Sequence, residues 1–474
     1  MVRAMFVMLM ALAAGDACSA NPVSALRFSA CADAASAPAL AGSLCARVAA
    51  PSTYDGSAAT LELFVRKFPA VRSRGSVWLV AGGPGESGAS LYALLPALRR
   101  SFPDADLLVP DHRGTGFSSR MCPQEESITS EGGMALAGAE WGSCFGRLIG
   151  QPALAAPFTL SNGARDLRFL IEQGDRGKPV WVYAVSYGTQ LVLRALQIGP
   201  LPVRGVILDS LVPLQTDARF DLSQRAKLVD STGRQLLQDC DADTACHGLL
   251  REPGEDVLKR VLVKGEANPA LLAAIPGNNL KRFLGGALDV PAARALIPRL
   301  ISELDADAAG DALPRMLAAL REAGAALGDY PQSPPSIPLV SIISAAENNL
   351  RPELSAAVLK DEESALLFSS RLPELLVAPS LPIYRRDALF GGVPARLPPL
   401  LVLSGMRDPK TAYAGAQDHV GALRKAGPVR HIAVQGAPHF ILWTAPDCLV
   451  ASIRAFVAGA RSGDASCSLA ARFD

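Results

Sequence analysis

Short runs of Val, Leu and Ile alternate with stretches of helical period along most of the chain. Thr60 to Lys67, Val77 to Val80, Asp106 to Val109, Pro179 to Val185, Val203 to Leu208, Leu400 to Leu403 and His431 to Val434 read as strands. Most are apolar without a polar alternation, the pattern of strands covered on both faces, and the helical stretches between them predict an α/β fold with a mostly parallel sheet. Ser161 or Asn162 can cap a helix reaching about Glu172, and Tyr187 to Ile198 continues as a helix directly from a strand. From about Thr216 to Leu397 strand-like runs become scarce and Ala- and Leu-rich helical patterns take over, as in Ala292 to Leu304 and Leu313 to Ala326. The strand pattern resumes at Leu400, so the sheet is interrupted there and not ended. The expected organisation is a core over residues 21–215, an inserted helical cap over 216–397, and a second part of the core over 398–474. Pro331 to Pro338 and the Pro398, Pro399 pair read as turns inside or bordering the insertion.

Composition narrows the partners. Hydrophobic residues make up 49% of the 474 and charged ones 19%, which excludes extended disorder. Lys plus Arg number 46 against 45 Asp plus Glu, so there is no basic footprint for nucleic acid or anionic lipid. Arg3 followed by the apolar stretch Ala4 to Ala14 reads as an export signal over residues 1–20, too short to span a bilayer. Lipidation at Cys18 is the minority reading, because Gly15 and Asp16 do not suit a lipobox. No later segment has the apolar length of a membrane span, and a periplasmic or secreted location follows. Without Cys18, eight cysteines remain, an even number expected where thiols are oxidised. The simplest pairing joins sequence neighbours, Cys31 with Cys45, Cys122 with Cys144, Cys240 with Cys246 and Cys448 with Cys467, although eight cysteines admit about 105 connectivities. Clustered metal-ligand spacing is missing, and neither a metal nor an organic cofactor is expected.

Candidate chemistry stands at the ends of the expected strands. PVWVYAV runs into Ser186, Tyr187 and Gly188 with a helix following at once, the sequence of a sharp strand-to-helix turn that lifts a serine oxygen above the sheet edge. The small residues two positions either side are Ala184 and Gly188. Gly82, Gly83, Pro84 and Gly85 follow the strand VWLV, and such a loop exposes backbone N–H groups. That of Gly83, with the N–H of Tyr187, can meet an oxyanion formed when the serine attacks a carbonyl. Asp408 follows LLVLSG and His439 follows HIAVQG. Serine, acid and base in that order, each after its own strand, predict a Ser186, Asp408, His439 triad. His431 begins a strand and His419 lies in a helix, which leaves His439 as the base.

GGPG at Gly82 to Gly85, DHRGTGFS at Asp111 to Ser118, VSYGT at Val185 to Thr189, RDP at Arg407 to Pro409 and the ending Cys448 to Cys467 together resemble the tripeptidyl and prolyl aminopeptidase family. The resemblance implies an α/β-hydrolase fold with a helical cap, a TAP-like C-terminal segment, and serine exopeptidase activity at peptide N-termini through the same three residues. Ala184, the Ala437, Pro438 pair and His112 depart from that pattern. Asp111 and Arg113 are expected to form an internal ion pair that braces the loop. Glu347, in IISAAENN, matches a family segment and is a candidate for holding a substrate's α-amino group, the other reading being a solvated surface Glu. The expected substrate is a peptide. A small ester cleaved by the same triad is the alternative, and a non-catalytic binding protein on the same scaffold a third reading.

Overall fold

The computed structural model describes residues 26–130, 140–174, 177–377, 381–469 and 473, so the expected export signal and Cys18 lie outside the described residues. A ten-stranded sheet runs through the molecule. Its strands are β1 (Ser29–Ala30), β2 (Leu44–Pro51), β3 (Thr60–Phe68), β4 (Gly75–Val80), β5 (Ala105–Asp111), β6 (Val180–Val185), β7 (Gly205–Asp209), β8 (Leu400–Gly405), β9 (Val429–Gln435) and β10 (Gly463–Ser468). In space they are ordered β1-β2-β3-β5-β4-β6-β7-β8-β9-β10. From β5 to β10 every pairing is parallel, whereas β1, β2 and β3 join antiparallel at one edge.

The central strands β4, β6, β7 and β8 are buried at every residue, which explains their unbroken apolar runs. Their side chains alternate between two cores. Trp78, Val80, Val182, Leu208 and Val402 pack on one face, and Val77, Leu79, Tyr183, Ile207 and Leu403 on the other. A third cluster, from Val229 to Phe368, lies in the largely helical segment between β7 and β8, with Phe473 packed against it. Three of the longer helices there are α3 (Arg225–Ala242), α4 (Ala312–Leu327) and α5 (Ile337–Glu347). Two others, α1 (Leu160–Gln173) and α2 (Tyr187–Ile198), pack against each other beside the sheet.

Several expectations shift in detail. The first expected helix begins two or three residues earlier than Ser161 or Asn162 suggested, because Thr159 accepts the Asn162 N–H and so occupies the capping position. The Ala292 to Leu304 pattern is two helices, Pro291–Ala295 and Ile297–Asp305. Pro298 has no N–H to donate and its ring would meet the carbonyl four residues earlier, so the first helix stops before it. The sequence-neighbour pairing of cysteines is the one present, Cys31–Cys45, Cys122–Cys144, Cys240–Cys246 and Cys448–Cys467. No helix among the described residues is long and apolar enough to cross a membrane.

Candidate active site

The chain runs from β4 outward to β5 and then crosses back to β6, so the strand order reverses between β4 and β6. In an open parallel sheet this reversal leaves a crevice outside the carboxyl ends of the two strands, because the following loops diverge to opposite sides. The loop after β4 carries Gly82 to Glu86, and β6 ends at Ser186. Ser186 has φ 54° and ψ −126°, a left-handed backbone that a residue with a Cβ adopts only under strain, and α2 starts at the next residue. The turn needs Gly188: a methyl there would lie 2.6 Å from the carbonyl oxygen of Ala81 and 2.8 Å from that of Val80. Ala184 sits inside β6, fully buried, and its methyl is absorbed by the core beside Val182. A methyl on Gly82 would come within 3.2 Å of Ser186 Cβ, so the loop after β4 and the serine are immediate neighbours. Tyr187, as the first helical residue, has an N–H with no partner within the helix. The Gly83 N–H likewise donates no hydrogen bond among the described residues.

Asp408 and His439 meet in a buried contact, Asp408 Oδ2 lying 2.8 Å from His439 Nδ1. The other oxygen of Asp408 accepts the N–H groups of Lys410 at 2.7 Å and Thr411 at 2.8 Å, and Oδ2 also accepts the Thr411 hydroxyl at 2.7 Å. Burial by itself would raise this carboxyl, but the imidazole beside it and the donors around it prevail and hold it below the usual carboxylate range. The two loops are stitched together: Arg407 N–H donates to the Ala437 carbonyl, and a methyl on Gly405 would collide with the Pro438 carbonyl at 2.2 Å.

The loop of His439 is joined to the serine turn through Asp209, at the end of β7. Its backbone carbonyl accepts the Ser186 N–H at 3.0 Å. Its carboxylate accepts Ile441 N–H at 2.9 Å, Leu442 N–H at 2.8 Å, the Tyr183 hydroxyl at 2.7 Å and the Ser210 hydroxyl at 2.9 Å. Ser186, Asp408 and His439 therefore share one rim of the sheet. No hydrogen bond joins the Ser186 hydroxyl to His439 among the described residues. The other candidate histidines have structural partners: His419 Nδ1 is 2.8 Å from the Val212 carbonyl and His431 Nε2 is 3.2 Å from the Ser404 hydroxyl.

Two sequence expectations are corrected. Arg113 does not pair with Asp111. Its guanidinium reaches α1, where it grips Asp166 at 2.6 and 2.7 Å and also donates to the carbonyls of Pro51, Ser52 and Pro157. Asp111 instead accepts Gly88 N–H, Phe117 N–H and Gln332 Nε2, each at 2.8 Å. Glu347 is not a solvated surface residue; it is 1% exposed. One oxygen accepts from Arg194 at 3.1 Å and Gln215 at 2.6 Å, and the other from the Tyr384 hydroxyl at 2.9 Å. The group of metal-ligating side chains Cys31, Asp33 and Cys45 is already engaged, the cysteines in their disulfide and Asp33 with Arg66.

Residues 75–258 match a family model described as alpha/beta hydrolase fold, and residues 381–467 one described as TAP-like protein. Similar solved structures include an esterase from Thermogutta terrifontis, 14% identical, covering 88% of this chain and 99% of that one with a TM-score of 0.35. A proline iminopeptidase-related protein from Thermus thermophilus is 15% identical over 87% of this chain and 97% of that one, TM-score 0.35. An epoxide hydrolase from metagenomes of hot environments is 16% identical over 88% and 98%, TM-score 0.39. No curated protein matches the chain. The parallel sheet with its reversal at β4 and β6, and the two matched segments that between them include β4 to β9, show that the chain has the α/β-hydrolase fold.

Proposed function

We propose that the chain is an exported serine hydrolase of the aminopeptidase type, with Ser186 as nucleophile, His439 as general base and Asp408 as the group that orients it. The observation that carries the reading is the 2.8 Å contact between Asp408 Oδ2 and His439 Nδ1, on the rim where the strained Ser186 emerges. A carboxylate in that position holds the proton on Nδ1 and leaves Nε2 free to accept one. His439 takes the hydroxyl proton as Ser186 attacks an amide or ester carbonyl, an acyl-enzyme forms and the amine or alcohol departs with that proton. Water activated by the same imidazole then releases the acid. The unengaged N–H groups of Gly83 and Tyr187 meet the oxyanion in both steps. The serine-to-imidazole hydrogen bond forms with the substrate, as such bonds commonly tighten only in the Michaelis complex.

The helices between β7 and β8 act as a cap over this rim. Its Ser336 donates a backbone hydrogen bond to the Gly85 carbonyl at 2.9 Å, and Arg294 donates to the Gly436 carbonyl at 2.7 Å. The motif set around Gly82, Asp111 and Arg407, with its resemblance to the tripeptidyl and prolyl aminopeptidase family, is what supports the exopeptidase reading; cleavage of a small ester by the same triad is the alternative. The four disulfides support an oxidising compartment, periplasmic or extracellular. Ser186→Ala is expected to keep its circular dichroism spectrum and lose all covalent labelling by a fluorophosphonate. Undiminished labelling removes Ser186 from the role.

A further inference from the structure

Glu86 stands beside the loop that touches the nucleophile, and among the described residues its charge is felt by Lys410 without a hydrogen bond or ion pair to it. A methyl placed on Gly82 would lie 3.2 Å from Ser186 Cβ and 3.5 Å from Glu86 Oε2, so the carboxylate folds back over its own loop towards the serine. Its flanking residues are anchored. The Gly85 carbonyl accepts Ser336 N–H at 2.9 Å, and the Ser87 hydroxyl donates to the Gln332 carbonyl at 2.7 Å. Glu86 itself is exposed and makes no hydrogen bond or ion pair among the described residues. The other carboxylates nearby are occupied: Asp408 by His439 and Thr411, Asp209 by Tyr183 and two N–H groups, Glu347 by Arg194, Gln215 and Tyr384. Lys410, the cation on the Asp408 loop, gives its ion pair to Asp289 at 2.9 Å and lies within electrostatic range of Glu86, leaving the Glu86 carboxylate oxygens without a donor among the described residues.

We propose that Glu86, and not Glu347, is the specificity-determining residue that receives the substrate's free α-amino group. This rests on Ser186 being the nucleophile. The position of the carboxylate also sets a length. In an aminoacyl substrate the α-nitrogen is two bonds from the attacked carbonyl carbon, and an ammonium there sits between the serine and Glu86. Each further residue ahead of the scissile bond moves the amine out by about 3.4 Å, so a tripeptidyl amine lies about 7 Å beyond this reach. The substrate class is accordingly a peptide or ester with an unblocked N-terminal residue, released singly.

The test measures kcat/KM of the full mature chain on an aminoacyl p-nitroanilide, its N-acetyl counterpart and a tripeptidyl p-nitroanilide, with fluorophosphonate labelling of the wild type in parallel. The wild type is expected to prefer the free aminoacyl substrate over both others. Glu86→Gln is expected to lower the free-to-acetylated ratio by about 10- to 100-fold, the worth of a charge-assisted hydrogen bond. Glu86→Asp keeps the charge but shortens the reach, and should fall between the two. An unchanged ratio in both variants, or a wild-type preference for the tripeptidyl or acetylated substrate, overturns the proposal. Failure of the wild type to label overturns instead the serine-hydrolase reading on which it stands.

Discussion

Replacing Glu126 by Gln should stabilise the protein in a way that grows with pH. Glu126 is 1% exposed, and only one of its oxygens is satisfied, accepting the Ser336 hydroxyl at 2.6 Å, while the other has no partner among the described residues. The nearest guanidinium nitrogen of Arg120 is 3.9 Å away. Burial, with a smaller contribution from Glu125, outweighs the Ser336 hydrogen bond and the Arg120 charge and pushes this carboxyl from an ordinary 4.5 to about 7. Between those values the folded chain keeps a proton that the unfolded chain has released, so stability from this group is fully present below pH 4.5 and is lost as pH rises through 7. The gap corresponds to about 3 kcal/mol, at roughly 1.36 kcal/mol per pH unit. Gln keeps an acceptor for Ser336 and cannot ionise, so it escapes that loss. Urea unfolding of both proteins at pH 4, 6 and 8, disulfides intact, should show the variant gaining about 3 kcal/mol on the wild type across the range. Stability curves that stay parallel from pH 4 to 8 refute the argument. Because Ser336 also holds the Gly85 carbonyl, the same titration loads the loop that carries Gly83 and Glu86.

Asp408→Asn is expected to fold normally and lose about 10⁴ in kcat, because an amide group donating to Nδ1 forces the proton onto Nε2, where it blocks acceptance from Ser186; a loss under tenfold in steady-state turnover would exclude the assigned role. Arg113→Met removes the only cation that, among the described residues, pairs with buried Asp166 and frees three carbonyls, and should cost about 3 to 5 kcal/mol in chemical unfolding. A cost below about 1 kcal/mol would mean that the pair merely replaces a neutral packing of equal worth.

Much of the sheet could be read from the chain because buried parallel strands declare themselves as apolar runs, and β3 through β9 fall where such runs stand. The edges could not. β10 is Gly-Asp-Ala-Ser-Cys-Ser, largely polar and exposed, and exists because β9 offers it a ladder and Cys467 ties it to Cys448. β2 begins Leu-Cys-Ala-Arg and ends in Pro51, a composition that suits an edge more than a run of any period. Asp209 gave no signal at all, since a carboxylate closing an apolar strand is indistinguishable in sequence from an ordinary strand end. Its use as the hub between the serine turn and the His439 loop depends on Ile441 and Leu442, more than 200 residues later.

What the sequence alone determined is which residues stand at the carboxyl ends of β4, β6, β8 and β9, because strand period and turn chemistry are local properties and place Gly82, Ser186, Asp408 and His439 one turn beyond a strand. What only the tertiary structure decided is whom the charged side chains meet. Arg113 chose Asp166 over its near neighbour Asp111, Glu347 was paired with Arg194, and Glu86 was left without a hydrogen bond or ion pair among the described residues, beside the loop that touches the serine. Those outcomes turn on which elements pack across one another, and a charge in a poorly hydrated interior takes whatever partner that packing brings within reach.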